Sequence, residues 1–181
     1  MTRLRAYIQR ASARQVRLLS RFRVLLGFVF GAFVLWLAQP TWESLVRGSV
    51  FALAGEALRW WAAGHLEKSK EVTRSGPYAY MRHPLYLGSA FIAIGVAIAA
   101  QSRVASLLIA LYLGTTLPAA VLAEERHLRE KFGAEYDAYA ARQATPMVRS
   151  FSLTRALQNR EHHTIAGVIA GFGLLALKIV L

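Results

Sequence analysis

The sequence predicts an all-α integral membrane protein in which five transmembrane helices follow a basic amphipathic helix lying at the membrane surface. Three observations predict it. Of 181 residues, 55% are hydrophobic and only 18% charged, where a soluble domain carries about a quarter charged residues. The apolar residues fall in long blocks that approach the roughly 20 residues a helix needs to cross about 30 Å of hydrocarbon. Lys and Arg, 22 against 10 Asp and Glu, gather mainly between those blocks. An ordinary soluble globule is excluded. The lack of cysteine also excludes a disulfide scaffold, a thiolate zinc site and a cysteine nucleophile. On so hydrophobic a chain, the formal net charge of +12 points to an anionic membrane surface, not to nucleic acid.

Residues 1–23 form the surface element. Leu4, Tyr7, Ile8, Ala11, Leu18, Leu19 and Phe22 recur at helical spacing on one side, and Arg3, Arg10, Arg14, Arg17 and Arg21 on the other. That pattern suits a helix in the headgroup layer with its arginines toward anionic lipid, a targeting arm or disordered basic tail being the plainer alternative. Residues 24–181 form the transmembrane domain. Its predicted spans are Val24 to Ala38, ended by Gln39-Pro40; Ser44 to Ala63, carrying Arg47, Glu56 and Arg59; Leu85 to Ala100; Val104 to Ala123; and Ile165 to Leu181, where Lys178 is near enough to the end to snorkel. Only Gln101, Ser102 and Arg103 separate the third from the fourth, so these two form a helical hairpin. Pro118 is expected to kink the fourth.

Eighteen of the 22 Lys and Arg lie in the amino-terminal arm, in Gly64 to Pro84 and in Glu124 to His163. Five crossings put these three segments on one side, which the positive-inside rule makes the cytoplasm. Trp36, Trp42, Trp60 and Trp61 lie near span ends as an interfacial belt. Glu56 is the deepest ionisable group. It stands three residues before Arg59, close enough to pair on one helix face, while Gly48, Ala52 and Gly55 offer close approach to a neighbouring helix. Glu56 belongs either to a buried polar cavity or to a structural ion pair.

The loop entering the third span carries the chemistry. Gly76-Pro77 marks a turn, and Pro84 suits a first helical turn, where its missing N–H has no partner to lose. Arg82 and His83 therefore stand at a helix amino terminus, where donors and dipole favour an anion: a ligand carboxylate or an interfacial lipid phosphate. The hairpin returns Glu124 and Glu125 to the same membrane face. An anion-binding pair then faces a cation-binding pair, which suits a zwitterionic ligand such as S-adenosylmethionine; the plainer reading of the acids is a solvated helix start or a flank pairing with Arg129. Glu161-His162-His163 lacks the i, i+4 histidine spacing of a helical zinc site, so no metal is expected.

Gly76-Pro77-Tyr78, Arg82-His83-Pro84-Leu85-Tyr86, a hydrophobic hairpin, and Glu124-Glu125 with Leu128, Phe132-Gly133, Tyr136 and Tyr139 resemble the signature of the isoprenylcysteine carboxyl methyltransferase and phospholipid methyltransferase superfamily. The likeness spans Lys70 to Tyr139. It implies an integral membrane enzyme that binds S-adenosylmethionine on its cytoplasmic side and methylates a lipid-like acceptor. It also implies a cofactor pocket of Lys70, Glu71, Val72, Thr73, Tyr78, Arg82, His83, Pro84, Leu85, Tyr86, Glu124 and Glu125. His83 and Arg82 would hold the cofactor carboxylate, the acidic pair its ammonium or ribose hydroxyls, and Tyr78 and Tyr86 its purine or sulfonium. No general base is assigned, with Glu56 and Glu124 as candidates.

Members acting on prenylated cysteine tend to carry an arginine four residues before the acidic pair, where this chain has Ala120, and a Val-Pro-Arg-like ending where it has Thr145-Pro146-Met147-Val148-Arg149. Both departures shift weight from O-methylation of prenylcysteine toward a phosphatidylethanolamine-like amine. Two further alternatives stand: a reductase related to the sterol reductases, which bind NADPH, and a non-enzymatic lipid-binding membrane protein.

Overall fold

A computed structural model describes residues 27–181. The basic segment 1–23 and the start of the first predicted span lie outside the described residues. All regular structure within them is helical. The elements are α1 (Gly27–Leu37), α2 (Trp42–His65), a 3-10 turn (Gly76–Ala79), α3 (Pro84–Ala100), α4 (Arg103–Phe132), α5 (Ala134–Ala140), α6 (Leu153–Gln158) and α7 (Glu161–Val180). The chain divides into two compact units, 1–37 and 38–181. In the first, α1 is a short apolar helix in which Phe33 and Trp36 place their rings 5.6 Å apart.

Among the described residues, helices lie in each of the five stretches predicted to cross a membrane. Two of them, α4 and α7, are both long and apolar enough to do so, whereas α1 and α3 are apolar but shorter. The 24-residue α2 is long enough, but carries Glu43 and Arg47 near its start and Glu56 and Arg59 further in.

In the second unit α2 and α3 run antiparallel in close contact. Thr41 starts α2 with a reciprocal cap: its hydroxyl accepts the Ser44 N–H at 3.1 Å, and the Ser44 hydroxyl accepts the Thr41 N–H at 2.9 Å. That Ser44 hydroxyl also lies 3.0 Å from the Ala99 carbonyl, and the Gln39 N–H donates to Ala100 O at 2.7 Å, joining the start of α2 to the end of α3. Between the ends, backbones nearly touch where the small residues were expected to allow it. A Cβ on Gly48 would overlap Gly95 O, and one on Gly55 would lie 2.5 Å from Gly88 O. Gln101, at φ 48°, turns the chain, and Ser102 caps α4 by accepting the Ala105 N–H, the tight joint that its short connection predicts.

Helix α4 departs from expectation. It continues beyond its expected end at Ala123 to Phe132, with Pro118 inside it, and Gly133 at φ 50° ends it. The Thr116 hydroxyl donates to Tyr112 O at 2.6 Å, supporting backbone near the proline. Thirty residues span about 45 Å, more than the hydrocarbon needs, so the charged stretch from Glu124 onward extends past the apolar part. The acidic pair therefore lies on a continuing helix and not at a helix start.

The tail supplies what the end of α2 lacks. The last carbonyls of a helix have no intrahelical donor. Here Asn159 Nδ2 donates to Ala63 O and Leu66 O at 2.9 and 3.0 Å, the Ser152 N–H and Arg155 Nε donate to Gly64 O at 3.0 and 2.8 Å, and Arg149 Nη1 donates to His65 O at 3.2 Å. Two guanidinium groups at the negative end of a helix dipole are favourable. Beneath them His65 is buried, 3.2 Å from the Ser75 hydroxyl, with its ring against Gly76. Burial, then the charges of Arg155 and Arg149, lower its pKa. A lowered basic pKa means that the unfolded chain takes up the proton first as pH falls below about 6.5. Acidification from pH 7.5 to 5.5 is thus expected to lower the melting temperature of detergent-solubilised protein, and His65→Gln to reduce that slope; equal slopes would contradict it.

Candidate active site

The site begins with the turn before α3. His83 is the N-cap residue and Pro84 opens the helix, as the missing proline N–H favours. Tyr78 in the 3-10 turn is buried, and its carbonyl accepts the Tyr139 hydroxyl of α5 at 2.8 Å. Burial, then the neighbouring Tyr136, pushes Tyr139 up to about 12. The phenol therefore stays a donor at neutral pH and fixes this turn to α5.

α4 brings the acidic pair to the same place. His83 Nε2 lies 3.1 Å from Glu125 Oε1, and His83 Nδ1 lies 3.9 Å from Glu124 Oε2. The Arg82 and Arg129 guanidinium groups reach Glu125 at 3.0 and 3.6 Å. The His83 hydrogen bond, followed by the Arg82 charge, holds the Glu125 carboxyl below the usual range. Glu125 is shielded at 13% exposure and Glu124 is open at 41%, so Glu125 knits the cluster while Glu124 keeps the greater free capacity. The Tyr86 ring stands 5.9 Å from that of His83. Tyr136 is buried beside these charges, with the Arg129 guanidinium 5.6 Å from its ring centre and no partner for its hydroxyl.

The segment from Lys70 to Thr73 makes its side-chain bonds elsewhere. Lys70 pairs with Glu67 at 3.1 Å, Glu71 pairs with Arg149 at 2.6 Å, Val72 is buried, and the Thr73 hydroxyl accepts the Glu67 N–H. These contacts build a second cluster under the tail. Of the predicted pocket, the structure thus gathers Tyr78, Arg82, His83, Tyr86, Glu124 and Glu125 with Pro84 and Leu85 at the helix start, and anchors Lys70, Glu71, Val72 and Thr73 through Arg149 and Glu67. Arg149 closes the altered tail ending, a role visible only once the loop and tail are side by side.

A third cluster bears on the two readings of Glu56, because the structural ion pair of Arg59 is made with another acid. Arg59 turns to Glu161 at the start of α7, with Nε and Nη2 at 3.0 and 2.9 Å from its two oxygens. Nη1 donates to Ser89 Oγ and Leu85 O at 2.7 and 3.2 Å, and Nη2 also to Thr164 Oγ1 at 3.2 Å. A bidentate carboxylate with three further acceptors outcompetes a neighbour three residues back, and Glu56 keeps both oxygens buried without a partner. Glu161 was missed as a structural residue. The available signal was an arginine within an apolar span, which needs an acid from another helix at the same depth.

Taken together, these features define a helical membrane protein with a histidine-arginine helix start set against paired carboxylates. The chain belongs to the phospholipid methyltransferase family, whose model matches residues 22–135, a stretch that includes His83, Glu124 and Glu125. It is 31% identical over 94 residues to the protein-S-isoprenylcysteine O-methyltransferase of Schizosaccharomyces pombe, covering 52% of this chain and 40% of that one. It is 30% identical over 128 residues to the nickel-cobalt-cadmium resistance protein NccN of Alcaligenes xylosoxydans xylosoxydans, covering 67% and 60%. It is 28% identical over 128 residues to the cobalt-zinc-cadmium resistance protein CzcN of Cupriavidus metallidurans, covering 67% and 59%. The chain therefore spans 40 to 60% of the length of these curated relatives. No solved structure matches it significantly.

Proposed function

We propose that the protein is an S-adenosylmethionine-dependent methyltransferase of the membrane, with a lipid-like acceptor and a preference for a phospholipid amine. The observation that carries this reading is the meeting of His83 and Arg82 with Glu124 and Glu125, 42 residues apart in sequence along the His83–Glu125 bond. The donor set fits the cofactor's charges. Arg82 and His83 at a helix start suit its carboxylate, the more open Glu124 its ammonium or ribose hydroxyls, and the unpartnered Tyr136 hydroxyl a further polar atom. Tyr78 and Tyr86 offer aromatic surface for a purine or a sulfonium. When bound, S-adenosylmethionine supplies an electrophilic methyl group; the residues here hold and align it, and alignment alone can lower a barrier by roughly 7 to 11 kcal/mol. The site faces the cytoplasm in this proposal, in an inner membrane whose anionic lipids hold the amino-terminal arginines.

The Schizosaccharomyces pombe relative favours a second reading, O-methylation of an isoprenylcysteine carboxylate. Ala120 in place of an arginine weighs against it. For either acceptor, S-adenosylhomocysteine at about 100 times its dissociation constant should stabilise the detergent-solubilised protein by about 2.7 kcal/mol, and NADP should not. His83→Ala and Glu124→Ala are each expected to abolish that stabilisation while leaving the unliganded melting temperature within a few degrees. Normal binding by both variants would reject the pocket, and stabilisation by NADP alone would favour a reductase.

A further inference from the structure

The Arg59 and Glu161 charges satisfy one another, which leaves an uncompensated group one turn away. Glu56 is 4% exposed and neither of its carboxyl oxygens has a partner. Trp60 follows at i+4, on the same helix face, and its indole Nε1 is likewise buried and unpartnered. A folded protein seldom keeps a buried acceptor pair and a buried donor unmet side by side, because each leaves a desolvation cost with nothing to offset it. A ligand that donates to one and accepts from the other meets both.

Their position suits an acceptor. Arg59 bonds to Leu85 O, in the first turn of α3 and two residues after His83. Glu56 lies three residues earlier on α2, about 4.5 Å farther along the helix axis from that level. Leu85 and Ser89, which accept from Arg59, follow closely on His83, and His83 bonds Glu125, so the same first turns of α3 join this part of α2 to the donor-side charges.

We propose that Glu56 and Trp60 form the subsite for the acceptor's amine, with Glu56 as the group that takes its proton. This rests on the methyltransferase reading. An ammonium donates to Glu56, an oxygen a few atoms away accepts the Trp60 indole N–H, and the indole face attracts the cation. The ligand class is a primary or secondary amine with an oxygen two carbons off, carried by a lipid headgroup or by a free amino alcohol. A carboxylate acceptor would meet Glu56 as a like charge. In the transfer, the ammonium gives one proton to the Glu56 carboxylate and the freed nitrogen lone pair forms the new N–C bond. The C–S bond of the sulfonium donor breaks with its electron pair passing to sulfur, leaving a neutral thioether and a methylated ammonium. Glu56 returns its proton to solvent as products leave.

The test uses the full chain in vesicles of phosphatidylethanolamine and phosphatidylglycerol, with methyl-labelled S-adenosylmethionine. Glu56→Gln should keep its stabilisation by S-adenosylhomocysteine, transfer label roughly 100-fold more slowly at pH 7, and recover much of that loss at pH 9, where solvent deprotonates the amine. Glu56→Asp should restore part of the rate at pH 7. Trp60→Phe should raise KM for the amine about tenfold with little change in kcat. Label in phosphatidylethanolamine identifies the lipid source, and label only in added free ethanolamine the soluble one; both sustain the subsite. Transfer by Glu56→Gln within threefold of the parent with an unaltered pH profile overturns it, as does label in a farnesylcysteine carboxylate and in no amine. Loss of S-adenosylhomocysteine stabilisation by both Glu56 variants would reduce Glu56 to a structural acid. A parent protein that neither binds S-adenosylhomocysteine nor transfers label would refute the methyltransferase reading itself, and the subsite with it.

Discussion

Arg59→Ala is expected to destabilise the detergent-solubilised protein by about 3–5 kcal/mol, because it leaves the Glu161 carboxylate buried without its countercharge. Glu161→Ala should cost a similar amount for the mirror-image reason. The side chains are only 15% and 4% exposed, so water does little to screen the orphaned charge. Arg59 also ties three helices together, since its acceptors lie on α3 and α7 while its backbone is in α2. Replacing both members at once, as Arg59→Met with Glu161→Leu, removes the two desolvation costs along with the attraction. That double variant should recover most of the loss, as replacing buried ion pairs with apolar groups often does. The measurement is a double-mutant cycle of thermal unfolding midpoints. Single variants within about 1 kcal/mol of the parent would show that the pair is solvated in a way its burial contradicts.

What local pattern controls, the sequence reveals. Period and charge placement locate α2, α3, α4 and α7, Pro84 marks the start of α3, and the short Gln101-Ser102 joint requires α4 to return Glu124 and Glu125 to the side of His83. The resemblance adds that these residues belong together, which their spacing alone leaves open. Pairing decided between distant elements is another matter. Arg59 has a nearby acid at Glu56, and only the approach of α7 reveals that Glu161, 102 residues away, offers better geometry. The end of α2 shows the same limit. Nothing in residues 149–159 announces that Arg149, Ser152, Arg155 and Asn159 will meet four successive carbonyls, because hydrogen bonding there depends on where the tail returns. The continuation of α4 past Ala123 escaped an argument based on apolarity, since a helix does not end where hydrophobicity does.

The glycine contact between α2 and α3 yields the other large effect. Gly48→Val, Gly55→Val and Gly95→Val are each expected to prevent accumulation of stable, detergent-extractable protein. The atoms that a new side chain would meet are mainly backbone: Gly95 O and Ala99 N for Gly48, Gly88 O and Ile92 N for Gly55, and Gly48 O and Ala52 N for Gly95, all under 3.0 Å from a first Cβ. Flexible side chains can swing away, but these atoms move only if the helices separate. Separation would forfeit packing along the whole contact, together with the bonds from Gln39 and Ser44 to the end of α3. Alanine should be milder, at about 1–3 kcal/mol per site. Gly88→Ala is informative because its Cβ would meet Arg59 Cγ at 2.5 Å as well as Gly55 O at 2.8 Å. It should displace the guanidinium from Leu85 O and Ser89, and so weaken the first turn of α3 that presents His83. Donor binding should therefore suffer more in Gly88→Ala than in Gly95→Ala at equal loss of stability. Gly167 and Gly171 in α7 have nothing within 4 Å of the point where a Cβ would stand, so alanine there should be neutral or stabilising by up to about 1 kcal/mol through helix propensity. If all these alanine variants unfold together, the near contact of α2 and α3 is not what sets the tolerance, and the juxtaposition of Arg59 with the His83 turn loses its support.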